Sequence, residues 1–245
     1  MPPRVELTVS RKQVTKAGRR LRDWQESQGF ATSQVLEDLQ TVSEFRKAHA
    51  YPLQMVSANL RYYVGVHCPE RMLVGQRLKR LPTIVEKLAR TPSMALATME
   101  DIGGCRAVVT NEAQVRNMVT HLRRRWSDTI VRERDYIERP KPETGYRAYH
   151  LVVDKLGRKI EIQLRTHGQH QWAEFVEQTD RRNPGLGLKS GAAPAEVMEY
   201  FCLGAQLTAS LDRGEPFVEG DLERLREMHE TVGRALREGR LGSSS

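Results

Sequence analysis

Ile160-Glu161-Ile162-Gln163-Leu164-Arg165-Thr166 decides the fold. The stretch alternates strictly. As a strand it sends Ile160, Ile162 and Leu164 to one face and Glu161, Gln163 and Arg165 to the other. An acid inside an otherwise regular apolar strand is paired, metal-bound or catalytic, or it faces water at a sheet edge. Upstream, Leu156-Gly157-Arg158 reads as the turn of a hairpin joining strands at about 147–154 and 159–165, with a further strand at about 129–137. Ile102–Thr110 is another strand candidate. Between them Glu112–Trp126 forms an amphipathic helix with Val115, Met118, Val119 and Leu122 on its apolar side.

Further out the pattern turns helical. From about 10 to 66, Leu21, Trp24, Phe30, Val35, Leu39, Val42, Phe45, Leu53, Val56, Leu60 and Tyr63 recur at three- and four-residue steps, with a break near Gly29. A helix starts at Pro82, because proline suits the first helical position. Helices return at about 167–179, 195–212 and 219–238, after a linker at 186–194. The fold class is therefore α/β (α+β), a mixed sheet flanked by helical arms. The expected organisation is an N-terminal helical arm over 1–70, a core over 71–180, C-terminal helices over 195–240 and a disordered tail over 241–245.

The chain has 245 residues, 39% hydrophobic and 29% charged, with a formal net charge of +8. That charge favours an anionic partner without separating a nucleotide from nucleic acid or an acidic protein. Cys68, Cys105 and Cys202 are far apart and form no CxxC pair, which disfavours a zinc site or a disulfide framework and points to a reducing cytoplasm. No run approaches the ~18 apolar residues of a membrane span.

Three further constellations carry chemistry. In Arg77-Leu78-Lys79-Arg80-Leu81-Pro82-Thr83-Ile84-Val85-Glu86-Lys87-Leu88-Ala89-Arg90, a helix start at Pro82 puts Thr83 at the positive helix end. Lys87 and Arg90 follow on the same face, and Lys79 approaches from the preceding loop. A solvated basic face is the simpler reading of the segment if it stands alone. Asp101 precedes Gly103 and Gly104, which would let a ligand or another segment come close. It reads alternatively as an acidic turn residue. Tyr146, after a glycine and beside Arg147, Tyr149 and His150, can stack on a base or serve as a core tyrosine. Two acids able to share Mg²⁺, with cations around them, point to phosphoryl transfer. His167 and His170 lack a third ligand at metal spacing.

Taken in order, these segments resemble the synthetase domain of the RelA/SpoT family, from about Arg77 to Glu177. Arg77-x-Lys79-x-x-x-Thr83-x-x-x-Lys87-x-x-Arg90 resembles the family's ATP-binding element, and Asp101-Ile102-Gly103-Gly104-Cys105-Arg106 its magnesium-binding strand. Asp135-Tyr136-Ile137 through Pro140-Lys141, then Gly145-Tyr146-Arg147, resembles the acceptor loop, and Glu161-Ile162-Gln163-Leu164-Arg165-Thr166 the catalytic strand. Thr83 replaces the family's usual serine, and Gly103-Gly104 its usual Ala-Gly. Val176-Glu177-Gln178 stands where many members carry a Glu-His pair.

The resemblance implies a nucleotidyltransferase-like synthetase core and an enzyme that moves the β,γ-pyrophosphate of ATP to a ribose 3′-hydroxyl. Arg77 and Arg106 would sandwich the adenine, and Lys79, Thr83, Lys87 and Arg90 would hold the triphosphate. Asp101 and Glu161 would bind Mg²⁺, with Glu161 also taking the hydroxyl proton. Tyr146 would stack on the acceptor base, a role that needs only its ring. Lys141, Arg147, His150, Gln163 and Arg165 would assist on phosphates or orientation. The acceptor implied first is GDP or GTP, giving (p)ppGpp. Toxic members that modify the 3′ end of tRNA, or use adenosine nucleotides, stay open, and with them an antitoxin partner. The cationic run Arg123-Arg124-Arg125 leaves room for tRNA. A non-catalytic module that senses a nucleotide or RNA is the alternative of a different class.

Overall fold

The computed structural model of the chain describes residues 3, 7–27, 29–68, 73–188 and 191–237. The tail at 241–245 and Lys189-Ser190 of the linker lie outside them. Three helices lead, α1 (Arg11–Ser27), α2 (Ser33–Lys47) and α3 (Ala50–His67), followed by β1 (Leu73–Leu78) and α4 (Leu81–Arg90). Then come β2 (Gly103–Val109), α5 (Glu112–Trp126), β3 (Ile130–Asp135), β4 (Tyr149–Lys155) and β5 (Arg158–Thr166). Helices α6 (His167–Arg182), α7 (Ala195–Arg213) and α8 (Asp221–Arg237) close the chain.

The strands form one mixed sheet in the order β1-β2-β5-β4-β3. The β2–β5 pair is parallel and the other pairs are antiparallel. The β4–β5 hairpin turns on Leu156 and Gly157, both at positive φ (55° and 71°). That is the geometry a two-residue hairpin loop needs to match strand twist. Asp154 Oδ1 accepts the Gly157 N–H at 2.9 Å and locks the turn.

One face of the sheet is apolar. Cys105, Ala107, Tyr149, Leu151, Val153, Ile160, Ile162 and Leu164 are buried there against Leu53, Val56, Leu60 and Tyr63 of α3 and Val115, Met118, Val119 and Leu122 of α5. Helix α3 thus shares the core with the strands. A second cluster joins α1, α2 and α4 through Val14, Leu21, Val42, Phe45, Ile84, Val85 and Leu88. A third gathers α6, α7 and α8 around Phe201 and includes Leu186 and Leu188 of the linker. The linker is a loop, but its leucines pin it to the third cluster.

One element was not expected and one expectation needs correction. Lys79 lies in the loop before α4 as expected, but Leu73–Leu78 ahead of it forms edge strand β1. The N-terminal arm breaks twice. The second break lies at Ala48 and His49, whose backbone stays close to helical (φ −63° and −84°), so no glycine marks it.

Helices α6 and α7 pack tightly at Gly204, where an added Cβ would stand 2.4 Å from the Trp172 ring. Gly204→Ala should therefore destabilise the protein despite alanine's higher helix propensity, by about 1–3 kcal/mol. Urea denaturation measures this, and an unchanged or raised midpoint would mean that the Trp172 ring yields freely.

Candidate active site

The second face of the sheet is polar, and strand register lays it out in rungs. One rung runs Arg77–Gly104–Glu161–Val152–Arg132 and the next Gly75–Arg106–Gln163–His150–Arg134. Paired residues share a face, so Glu161, Gln163, His150 and Arg106 are neighbours because the strands pair as they do. The two glycines of β2 have different tasks. Gly103 faces the core, where an added Cβ would lie 2.8 Å from Ile160 and 3.6 Å from His49 and Leu53. Gly104 lies between Arg77 and Glu161, and an added Cβ would meet only the Glu161 carbonyl oxygen at 3.9 Å. It leaves an open floor on the polar face.

Glu161 sits where two hydrogen-bond routes from one guanidinium converge. Arg165 Nη2 donates to the Tyr146 hydroxyl at 2.7 Å and to Gln163 Oε1 at 3.0 Å. Gln163 Nε2 donates to Glu161 Oε2 at 2.8 Å. Tyr146 Oη lies 2.7 Å from His150 Nε2, and His150 Nδ1 lies 3.1 Å from Glu161 Oε1. Arginine can only donate, so Tyr146 accepts from Arg165 and gives its own proton to Nε2. His150 is then neutral with its proton on Nδ1, aimed at Glu161. Burial, the largest influence, lowers the His150 pKa and keeps the ring neutral. Burial pushes the Glu161 carboxyl up, but the hydrogen bonds from His150 and Gln163 and the nearby Lys87 outweigh it and hold Glu161 well below the usual carboxylate range.

Asp101 lies just before β2. Its Oδ2 accepts from Lys79 Nζ at 2.9 Å and Lys87 Nζ at 2.8 Å. Burial raises its pKa, and the two ammonium groups reverse this and leave it low. Its Oδ1 is buried with no hydrogen-bond partner. An orphaned anionic oxygen suits a hard cation. Among the described residues no group of three or more His, Cys, Asp or Glu converges. A cation held by Asp101 and Glu161 would complete its shell with water and phosphate oxygens, as Mg²⁺ commonly does.

Helix α4 is more than a solvated basic face. Ile84, Val85 and Leu88 bury one side against the arm, and Lys87 is turned to Asp101. Thr83 stands in the first turn, after an N-cap residue, Arg80, that makes no side-chain cap. Arg77 and Arg90 are exposed. Arg106 Nη1 lies 2.9 Å from Glu174 Oε1 and 3.1 Å from His170 Nδ1, so α6 holds this guanidinium.

The loop before β4 is built to present Tyr146. Asp135 Oδ1 accepts the Ile137 and Glu138 N–H groups, both at 3.0 Å. Gly145 N–H closes back on the Lys141 carbonyl at 2.8 Å. Gly145 has φ 64°, and an added Cβ would lie 2.6 Å from Ala205 of α7. Trp172 Nε1 and Cys202 Sγ donate to the Thr144 and Pro142 carbonyls at 3.4 and 3.3 Å. The C-terminal helices thus buttress the loop. Lys141 Nζ stands 5.4 Å from the Tyr146 ring centroid and 5.3 Å from that of Tyr136, while the Arg165 guanidinium is 5.0 Å from Tyr146.

Thus Glu161, His150, Gln163, Arg165 and Tyr146 come together in one network, with Lys141 against the Tyr146 ring, and Asp101 is joined to Lys79 and Lys87. Arg147 stands apart. It donates to the Ile137 carbonyl at 2.8 Å, and its charge is felt with those of Glu112 and Arg213, at the base of the loop. Arg123 is held by Glu133 at 2.7 Å and by the Tyr149 hydroxyl at 2.7 Å, and it belongs to α5, on the apolar side of the sheet. The sequence reading passed over Glu174 and a group on the polar face comprising Glu100, Arg132, Arg134 and Lys159. The alternation Arg132-x-Arg134 and the position of Lys159 two residues before Glu161 are the signals that could have found it. A cleft of about 730 Å³ lies away from Glu161, between the ends of β1 and β2 and helices α6 and α7, lined by Leu73, Val108, Trp172, Phe175 and Leu211 among others.

Comparison with known proteins gives the family. The profile of the family described as "Region found in RelA / SpoT proteins" matches residues 76–180. The chain is 30% identical over 171 residues to GTP pyrophosphokinase YjbM of Bacillus subtilis, covering 66% of this chain and 77% of that protein. It is 33% identical over 112 residues to GTP pyrophosphokinase YwaC of the same organism, covering 40% of this chain and 53% of the relative. The crystal structure of small alarmone synthetase 1 from Bacillus subtilis superposes with a TM-score of 0.56 at 25% identity, over 79% of this chain and 98% of that one. The chain belongs to the RelA/SpoT family.

The open floor at Gly104 gives a direct test. Gly104→Val should leave the melting temperature within a few degrees of wild type, since no atom lies closer than 3.9 Å to the added Cβ. It should weaken ATP binding at least ~10-fold, because the branched side chain fills space that a ligand needs. Unchanged affinity by calorimetry would mean that the ligand does not cross this floor.

Proposed function

We propose that this protein is an ATP-dependent nucleotide pyrophosphokinase of the cytoplasm that transfers the β,γ-pyrophosphate of ATP to the ribose 3′-hydroxyl of GDP or GTP. The observation that carries the proposal is the Glu161 carboxylate, fixed by His150 and Gln163 on a polar sheet face and flanked by the Lys79–Asp101–Lys87 group. Its relatives YjbM and YwaC are named GTP pyrophosphokinases, which supports guanosine nucleotides as acceptors.

In this reading Arg77 and Arg106 hold the adenine, and Lys79, Thr83, Lys87 and Arg90 hold the triphosphate. Asp101 and Glu161 would hold Mg²⁺, which would supply positive charge against the phosphate oxygens. The acceptor 3′-oxygen attacks the β-phosphorus. The bond from that phosphorus to the α,β-bridging oxygen breaks, AMP leaves with that oxygen, and the hydroxyl proton passes to Glu161. A carboxylate held this low is a weak base while both donors stay in place. Tyr146 and Lys141 hold the acceptor base and its phosphates, while Arg165, Gln163 and His150 aim the carboxylate.

The tRNA reading drew on toxic members of the family, with the +8 charge and Arg123-Arg124-Arg125 leaving room for such an acceptor. Arg123 is already paired, and α5 lies on the other side of the sheet, so no observation favours that acceptor. A purely sensing module has no use for a carboxylate aimed by four polar groups. Incubation of the pure protein with γ-labelled ATP and GDP, GTP, AMP or tRNA separates these readings. Label in a guanosine product is the expected result, and label in tRNA or AMP alone, or in nothing, overturns it.

Two substitutions probe the mechanism. Glu161→Gln should cut transfer at least ~10²-fold while ATP still binds, since it removes the charge and the base but keeps the shape. Activity within a few-fold of wild type would take Glu161 out of the chemistry. Tyr146→Phe would be mild if only the ring mattered, but the hydroxyl links Arg165 to His150. Its loss leaves His150 Nε2 without a partner and Arg165 Nη2 with Gln163 alone, at about 1–3 kcal/mol, which corresponds to a fall in kcat of roughly 5- to 150-fold with ATP binding retained. A kcat equal to wild type would return Tyr146 to a stacking role alone.

A further inference from the structure

Two histidines stand side by side on the opposite side of the sheet from Glu161. His67 is the last residue of α3, and His121 lies in the second half of α5, the two helices that cover the apolar sheet face. Their ring centroids are 4.7 Å apart, with the planes tilted by 54°. His67 is exposed, whereas His121 is half-buried and its Nε2 is covered with no hydrogen-bond partner. An aromatic contact accounts for the ring distance. It does not account for the orphaned nitrogen, since buried polar atoms in folded proteins are nearly always paired.

The surroundings fit a metal ligand better. Burial lowers the His121 pKa, and His67, Arg124 and Arg125 lower it further. The ring is therefore neutral at neutral pH, which is the form that binds metal. The Tyr63 ring meets His121 at 4.6 Å and fixes its position, while exposed His67 is free to turn. The negative end of the α3 dipole favours a cation at His67. Arg124 and Arg125 oppose one, but both are exposed and water screens them.

The separation can be checked against coordination geometry. A metal about 2.0–2.1 Å from an imidazole nitrogen lies roughly 3.2 Å from that ring's centroid. Centroids 4.7 Å apart then subtend about 95° at the metal. That angle lies between the right angle of octahedral or square-planar sites and the tetrahedral angle.

We infer that His67 and His121 Nε2 form a site for a borderline first-row divalent cation, of the Zn²⁺, Ni²⁺ and Cu²⁺ class. Two imidazoles without a carboxylate select these ions over Mg²⁺. Among the described residues no third His, Cys, Asp or Glu joins them, so water completes the shell. The bound ion ties the end of α3 to α5. The chain runs on from α3 into β1, which carries Arg77, so the ion braces the approach to that strand. This inference does not depend on the proposed reaction.

The test is calorimetry of Zn²⁺ binding to the full chain, with Mg²⁺ in large excess to compete at the carboxylates of the polar face. Wild type should bind Zn²⁺. His67→Ala and His121→Gln should each weaken that binding at least ~10-fold, the low end for disturbing a metal site. With Cu²⁺ as the probe, electron paramagnetic resonance should show nitrogen couplings from two imidazoles in wild type and from one in either variant. Transfer with Mg²⁺ alone should be unchanged in both, because neither residue lies on the polar face. Absence of Zn²⁺ binding in wild type, or wild-type affinity in His67→Ala, overturns the inference. If His121→Gln does not fold, exposed His67 still decides it. Binding of Mg²⁺ as tight as that of Zn²⁺, and equally dependent on His67, overturns the assigned class of ion.

Discussion

A carboxylate in the middle of a sheet must be satisfied, and much of the polar face is arranged around that requirement. Glu161 is almost wholly covered, and stranding it there unpaired would cost several kcal/mol. Two routes from Arg165 meet the need, one through Gln163 on the same strand and one through Tyr146 and His150. Arg165 is itself 4% exposed. Its guanidinium and the Glu161 carboxylate neutralise one another across intervening neutral groups, which lets both stay in the sheet. Removing any link leaves a buried donor or acceptor alone, so the network behaves as one unit.

That unit holds only if the strands keep register. A slip of one residue between β4 and β5 would send His150 to the α5 side and bring Leu151 or Tyr149 to Glu161. The apolar residues prevent the slip. Leu151, Val153, Ile160 and Ile162 alternate with the polar ones and are buried against α3 and α5. The locked turn at Leu156-Gly157 fixes the same register from the hairpin end. The core on one face thereby sets the geometry of the other. Helices α6 and α7 do the remaining work by holding Tyr146 through its loop carbonyls and Gly145.

The sequence was legible where burial was one-sided. β5 and α5 each have a wet and a dry face, and their patterns announce both. β1 has neither, because Leu73–Leu78 is an edge strand exposed at most positions, and without apolar contrast no period survives. The α2–α3 break was hidden because Ala48 and His49 keep near-helical dihedrals, although Pro52 in the first turn of α3 was the available start signal. Glu161, Gln163 and Arg165 were visible as a polar face. That Tyr146 acts through its hydroxyl was not, because a sequence shows that an aromatic follows a glycine and does not show what its oxygen touches. Arg147 misled for a related reason. Two residues before Tyr149 it shares that residue's side of the sheet, so adjacency to Tyr146 placed it near the site in sequence and at the base of the loop in space.

Glu100 and Asp101 serve two separate cation groups from adjacent positions. Their carboxylates diverge from neighbouring backbone positions, one to Lys79 and Lys87 beside α4 and the other to Arg132, Arg134 and Lys159. Without ligand, each carboxylate shields its cations from one another, so the polar face does not destabilise itself by like-charge repulsion.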